Sequence, residues 1–221
     1  MADFRAPMIL PSLLQCDFAN LQQEIERLTE AGVEMLHLDV MDGVFVPNLS
    51  YGMPVVAAIR RVTELPLDVH LMITKPERYI EAFREAGADY LTVHVEAVEE
   101  PRRVLKQIRE TGAKAGLAIN PSTPFEGFHE YLSGCDWALV MSVEAGFGGQ
   151  VFNPIALERL AQLRELAGDR IVLEVDGGIN ADTIRSCAEA GAQWFVIGSA
   201  IFREESYGRA VNSLQQLATL D

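Results

Sequence analysis

EAGVEMLHLDV (30–40), EAGADYLTVHV (85–95) and EAGAQWFVIGS (189–199) are near-repeats of one plan. Each reads as the last turn of a helix, a glycine that leaves it through a left-handed conformation, and an apolar strand. A fourth variant, ETGAKAGLAI (110–119), follows the same order. Such repeats imply βα units whose parallel strands are covered by helices. Working outward from them, the pattern predicts strands over about 8–14, 34–40, 67–72, 90–95, 115–120, 136–141, 171–176 and 193–198. Helical patterns follow over about 18–31, 53–62, 76–86, 100–111, 124–132, 154–167, 181–190 and 205–219. No linker interrupts the series. Eight such units in 221 residues are the arithmetic of a single-domain α/β protein, a (β/α)8 TIM barrel spanning residues 1–221. The alternative, an open doubly wound sheet, lacks its GxGxxG fingerprint after the first strand.

Composition agrees with a globular chain: 49% hydrophobic and 23% charged residues. Lys and Arg number 18 against 32 Asp and Glu, a formal charge of −14, which disfavours nucleic acid and anionic lipid as partners. MADFRAPMIL (1–10) lacks the apolar core of a signal peptide, and no apolar run reaches the roughly 18 residues of a spanning helix. Cys16, Cys135 and Cys187 are odd in number and far apart, which suits reduced thiols in a cytoplasmic protein. The expectation is a soluble, cytoplasmic protein with no membrane partner.

Barrel chemistry sits at the C-terminal ends of the strands, so polar residues there carry the most weight. Strand period two places His37, Asp39 and Met41 on one face of LHLDVMDG (36–43), with Leu36, Leu38 and Val40 on the helix side. By the same parity His70 and Met72 share a face with Asp68, and Asp176 ends LEVDGG (173–178). One inward His or Asp is often just a hydrogen-bonded core residue. Two of each at three strand tips form a four-ligand set for a divalent transition metal: His37, Asp39, His70 and Asp176. His94, Glu96 and Glu174 read as interior polar partners of that set, and His129 as a solvated helical residue.

Glycines cluster after the last three strands, in SVEAGFGGQVF (142–152), DGGIN (176–180) and IGSAIF (197–202). They let backbone amides approach an anion, and phosphate binding in that quadrant is a recurrent use of this barrel. The expected donors are the amides of Gly148, Gly149, Gly178, Gly198 and Ser199, with the Ser199 hydroxyl. Met41, Met72 and Met141 fall at strand ends beside the metal set; core packing is the ordinary use of methionine, and an apolar cap over the reacting atoms is the functional one.

PSLLQCDFANL (11–21), HLDVMDGVFVPN (37–48), DVHLM (68–72), GLAINPSTP (116–124), VEAGFGGQVF (143–152), EVDGGIN (174–180) and GSAIF (198–202) together resemble the ribulose-phosphate 3-epimerase family over essentially the whole chain. The resemblance implies a (β/α)8 barrel that interconverts D-ribulose 5-phosphate and D-xylulose 5-phosphate. It implies that His37, Asp39, His70 and Asp176 bind one divalent ion per chain (zinc, iron(II), manganese or cobalt), with Asp39 and Asp176 also the acid–base pair. Ser12 and His70 are placed against the substrate, and a homo-oligomer is implied. Three positions depart from the pattern: Ala145 where Pro is common, Val44 where His is common, and Gln15-Cys16-Asp17 in place of SAD.

The chemistry has its own logic. Inverting a carbon beside a carbonyl needs a proton removed from one face and returned to the other, through an enediolate. A cation acts as Lewis acid for that charge, and two opposed carboxylates supply one base per face. No nicotinamide, flavin or pyridoxal motif is present, so no organic cofactor is expected. A Schiff-base aldolase would need a lysine inside the barrel, and Lys75, Lys106 and Lys114 are placed elsewhere. The other readings are a hexulose-6-phosphate 3-epimerase, a metal-dependent decarboxylase or aldolase on the same barrel, and a sugar-phosphate-binding barrel without turnover.

Overall fold

The computed structural model describes residues 6–220; residues 1–5, half of the stretch read for a leader, and residue 221 lie outside them. The strands are β1 (Met8–Pro11), β2 (Leu36–Met41), β3 (Leu67–Met72), β4 (Tyr90–His94), β5 (Lys114–Ile119), β6 (Trp137–Met141), β7 (Val172–Asp176) and β8 (Trp194–Ile197). The helices are α1 (Leu21–Glu30), α2 (Met53–Arg60), α3 (Ile80–Ala86), α4 (Pro101–Glu110), α5 (Ile155–Ala167), α6 (Ile184–Glu189), α7 (Ser199–Phe202) and α8 (Tyr207–Ala218). All ladders are parallel, in the order β1-β8-β7-β6-β5-β4-β3-β2, and one parallel bridge from Ser12 to His37 joins the two ends of the sheet. The three repeat glycines, Gly32, Gly87 and Gly191, have φ of +80°, +116° and +107°, the conformation that makes glycine the residue of choice there. No helix among the described residues is long and apolar enough to cross a membrane.

Three expectations are corrected. The strand expected to reach residue 14 ends at Pro11, because Ser12 turns its hydroxyl onto the Leu14 amide and caps a 3-10 turn over Leu13–Gln15. The helix expected over 124–132 is instead a 3-10 segment, Phe128–Gly134: Gly127 at φ +83° sets the chain's direction only there. The short helix α7, directly after β8, lies outside the expected helical spans.

Strand alternation divides the molecule. Outward side chains such as Leu36, Leu38, Val40, Val69, Leu71 and Val175 pack under the helices in one large core. Inward ones stack in layers. Met8, Met35, Trp137 and Trp194, with Tyr90 and Val172 against them, form an apolar floor. Each such buried side chain is worth roughly 1.5–3 kcal/mol. Above it lie His37, Asp68, Thr92 and Glu174, all fully buried. Register sets Asp39 opposite His70 and Met141 opposite Asp176 at the upper rim. Gly116 is where the floor needs room: a Cβ there would lie 2.3 Å from the Trp137 ring and 2.6 Å from the Thr92 hydroxyl. Gly116→Ala is therefore expected to lower stability by about 1–3 kcal/mol through overpacking, read as a lower urea midpoint.

Candidate active site

Two imidazoles meet one carboxylate at the barrel mouth. His37 Nε2 and His70 Nδ1 each lie 3.3 Å from Asp39 Oδ1. The far side of each ring is engaged as well: His37 Nδ1 is 2.6 Å from Asp68 Oδ2, and His70 Nε2 is 2.8 Å from His94 Nε2. Asp39 Oδ2 accepts the Ser12 hydroxyl at 2.5 Å. Asp176 reaches in from β7, and donor atoms of His37, Asp39, His70 and Asp176 all lie within 4.8 Å of one another. The alternation of β2 dictates this, since residues 37, 39 and 41 must share a face.

The acidity of these groups follows from burial and neighbours. Burial alone would raise Asp39, but His37 and His70 hold its carboxyl well below the usual carboxylate range. Burial, then the charge of Asp39, pushes Asp176 up. Burial and the charge of Asp68 likewise push Glu174 up. Burial opposes the charged form of His37, yet Asp39 and Asp68 carry it well above its ordinary value, whereas burial, with Asp39 alone opposing it, takes His70 down to about 4. Glu96 would be raised by burial, but His94, Thr123 and the Asn120 amide hold it at about 2.

These residues fit a divalent cation. Four buried or half-buried carboxyl groups crowd one region, no Lys or Arg among the described residues lines the cavity beside them, and Asp68 Oδ1 and both Glu174 oxygens lack hydrogen-bond partners. Two imidazole nitrogens and two carboxylate oxygens form a borderline donor set suited to zinc, iron, manganese or cobalt.

A cavity of about 190 Å³ opens above this set, lined by Ser12, Asp39, Asp176 and all three of Met41, Met72 and Met141. His37 and His70 lie beneath, fully buried. Gly148, Gly149, Gly178, Gly198 and Ser199 form one wall, so the three glycine-bearing loops do meet. Ala145 lines the same cavity, while Val44 is 76% exposed and is not among its lining residues. Of the residues read as interior polar partners, His94 and Glu174 are fully buried; His129, read as solvated, is exposed in the 3-10 segment.

Two residues matter more than the sequence suggested. Asp68, read only as a face-mate of His70, bonds the ring of His37; its parity was the available signal. Gln15, noted only as a departure, reaches between the loops: a Cβ on Gly148 would lie 2.4 Å from its Nε2 and one on Gly198 2.7 Å from its Cγ. No local motif signals that contact.

Fold and site together define a (β/α)8 barrel enzyme with two carboxylates facing one small polar cavity. The sequence pattern of the ribulose-phosphate 3 epimerase family matches residues 8–202. Ribulose-phosphate 3-epimerase of Mycobacterium tuberculosis is 46% identical over 215 residues, covering 96% of this chain and 93% of its own. That of Bacillus subtilis is 42% identical over 211 residues, covering 94% and 97%. The chain belongs to the ribulose-phosphate 3-epimerase family and is by that membership an epimerase. Among solved structures, KGPDC from Streptococcus mutans in complex with D-R5P superposes with a TM-score of 0.74 at 15% identity, over 96% of this chain and 97% of that one. 3-Hexulose-6-phosphate synthase from Salmonella typhimurium does so with 0.73 at 15%, over 96% and 98%. These two likenesses speak to the fold.

The glycines of the wall differ physically. Gly178 has φ +64°, and a Cβ there would lie 2.6 Å from the Phe152 backbone nitrogen; Gly198 would meet only the Gln15 side chain. Gly178→Ala should thus cost about 1 kcal/mol or more from its backbone conformation and the clash, and Gly198→Ala distinctly less, in paired urea denaturations.

Proposed function

We propose that this chain interconverts D-ribulose 5-phosphate and D-xylulose 5-phosphate, residues 1–221 acting as one catalytic domain. The observation that carries the reading is the pair Asp39 and Asp176, which β2 and β7 bring to the lining of one cavity with carboxylate oxygens within 4.8 Å of each other and of two imidazoles. A ketose phosphate held between them presents one face of C3 to each carboxyl group. Starting with one carboxylate ionised and the other protonated, the first takes the C3 proton and the second returns one to the opposite face. Proton count is conserved, the configuration is inverted, and the two groups have exchanged roles for the reverse reaction. General acid–base help of this kind is worth about 10²–10⁴ in rate.

The remaining residues hold the substrate. Amides of Gly148, Gly149, Gly178, Gly198 and Ser199, with the Ser199 hydroxyl, take the phosphate, where a loop backbone without side chains can approach closely. Anchoring that end fixes C3 between the carboxyl groups. The Ser12 hydroxyl, bonded to Asp39, orients that carboxylate and borders the sugar, with His70 beneath. Met41, Met72 and Met141 keep water from the reacting carbon. His37, Asp39, His70 and Asp176 would hold one divalent ion, which supplies Lewis-acid stabilisation of the enediolate charge. The buried free thiols support a reducing, cytoplasmic location, and the family resemblance supports a homo-oligomer.

Four measurements test this. Ribulose 5-phosphate offered in deuterated water should give xylulose 5-phosphate labelled at C3, with hexulose 6-phosphate turned over less efficiently; no exchange at C3 sinks the reading. Asp39→Asn and Asp176→Asn should each lose epimerisation by several orders of magnitude while keeping some metal, and slow exchange without inversion should persist from one epimer; near wild-type epimerisation by both would remove the two-base mechanism. Chelation should abolish activity, with bound metal lost or weakened in His37→Ala and His70→Ala. Free ribulose should be a very poor substrate because the phosphate contacts are missing.

A further inference from the structure

Ser12 ends β1 and starts a turn that carries one side chain into the glycine wall. Its amide donates to the Ile197 carbonyl at 2.9 Å, next to Gly198, and its carbonyl accepts the Gln15 amide at 3.3 Å. Leu13, fully buried, anchors the turn in the core. Gln15 therefore stands on a fixed turn tied to the end of β8, and it lines the same cavity as Gly148, Gly178, Gly198 and Ser199. It lies against two of the three glycine loops at once: a Cβ on Gly148 would lie 2.4 Å from its Nε2, and one on Gly198 2.7 Å from its Cγ.

Side-chain donors lining that cavity are few. No Lys or Arg among the described residues is one of them. Ser12 spends its hydroxyl proton on Asp39 Oδ2. Gln150 Nε2 bonds the carbonyls of Glu144 and Phe147, both at 2.9 Å, which uses both of its N–H groups. Asn180 turns its NH2 back onto the Gly178 carbonyl at 3.1 Å, while its oxygen accepts the Asp182 amide at 2.8 Å. The side-chain amide of Gln15 has no hydrogen-bond partner among the described residues. Both its N–H groups thus stand unused where the loops after β6 and β8 meet. A half-buried amide held in place with nothing to bond suits an acceptor that the ligand brings.

We propose that Gln15 is a phosphate-binding and specificity residue, its side-chain NH2 donating to the substrate phosphate between the amides of Gly148 and those of Gly198 and Ser199. The inference rests on the phosphate reading above. With no cationic side chain among the described residues of the wall, the phosphate charge is met by neutral donors alone, and a hydrogen bond to a charged group is worth more than one between neutral groups. Serine, which the family pattern has at this position, would stop well short of that reach. The proximity of Gln15 also gives Gly148 and Gly198 a reason to be glycine, since a side chain on either would displace the amide.

Gln15→Met keeps the length and bulk of the side chain and removes its donors. Gln15→Glu keeps its shape and sets a carboxylate against the anion. With inorganic phosphate as competitive inhibitor of ribulose 5-phosphate turnover at pH 8, the inhibition constant is expected to rise about 10-fold or more in Gln15→Met, and further in Gln15→Glu. KM for ribulose 5-phosphate should rise in step, with kcat falling less. A residue that only braces the two loops would leave Gln15→Met like wild type. In ¹⁵N spectra of the zinc-loaded wild-type chain, inorganic phosphate should move the Gln15 NH2 pair together with the backbone amides of Gly148, Gly178 and Gly198, a readout that needs no variant to fold. A wild-type inhibition constant in Gln15→Met, or an NH2 pair that stays in place while those amides move, would overturn the proposal. If phosphate neither inhibits wild type nor moves any of those signals, the phosphate reading itself fails, and the role of Gln15 with it.

Discussion

Asp39, Asp68, Glu174 and Asp176 share the upper half of a closed ring of strands with His37, His70 and His94, and no lysine or arginine side chain among the described residues lines the cavity there. Burying an uncompensated carboxylate costs several kcal/mol even after relaxation. Everything near the mouth answers that constraint. Ser12 donates to Asp39, Asp68 and Glu174 crowd under His37, and Glu96 sits behind His94. The excess of negative charge that remains suits the site to a cation, and the acidities of Asp39 and Asp176 shift in opposite directions.

Such a site is tolerable because stability is supplied elsewhere. The outward faces of the strands pack under the helices, and the apolar floor of Met8, Met35, Trp137 and Trp194 closes the opposite end. The loops at the mouth contribute little to that core and are free to carry function. Even so they are cross-tied. Asn48 donates to the Gly146 carbonyl at 2.7 Å, Asp42 accepts from the Thr74 amide at 2.7 Å, and Arg159 caps the carbonyls of Asn120, Pro121 and Thr123. The last of these holds the turn that carries two of the donors to Glu96, so a buried arginine on α5 supports the environment of His94 on β4.

Much of this was legible in the chain itself, because both signals involved are local. The helix–Gly–strand repeats encode βα units, since leaving a helix through positive φ demands glycine wherever it happens. Strand period two then assigned Leu36, Leu38 and Val40 to the helix side and His37, Asp39 and Met41 to the interior, as the structure has them. The glycine clusters after β6, β7 and β8 face one cavity because strand ends in a parallel barrel all open on the same side. Local punctuation was misread at the Ser12 cap that ends β1 at Pro11, at Gly127 before the 3-10 segment Phe128–Gly134, and at the short helix α7 after β8.

What tertiary structure alone decided are the contacts between elements far apart in sequence. Nothing in the chain says that Ser12 bridges to His37 to join the ends of the sheet, or that Gln15 reaches to Gly148 and Gly198. Nothing says that the ring of His94 stacks on that of His70 rather than beside it. Those pairings depend on strand stagger and ring closure, which are properties of all eight strands at once, whereas the identity and facing of each side chain are properties of its own strand.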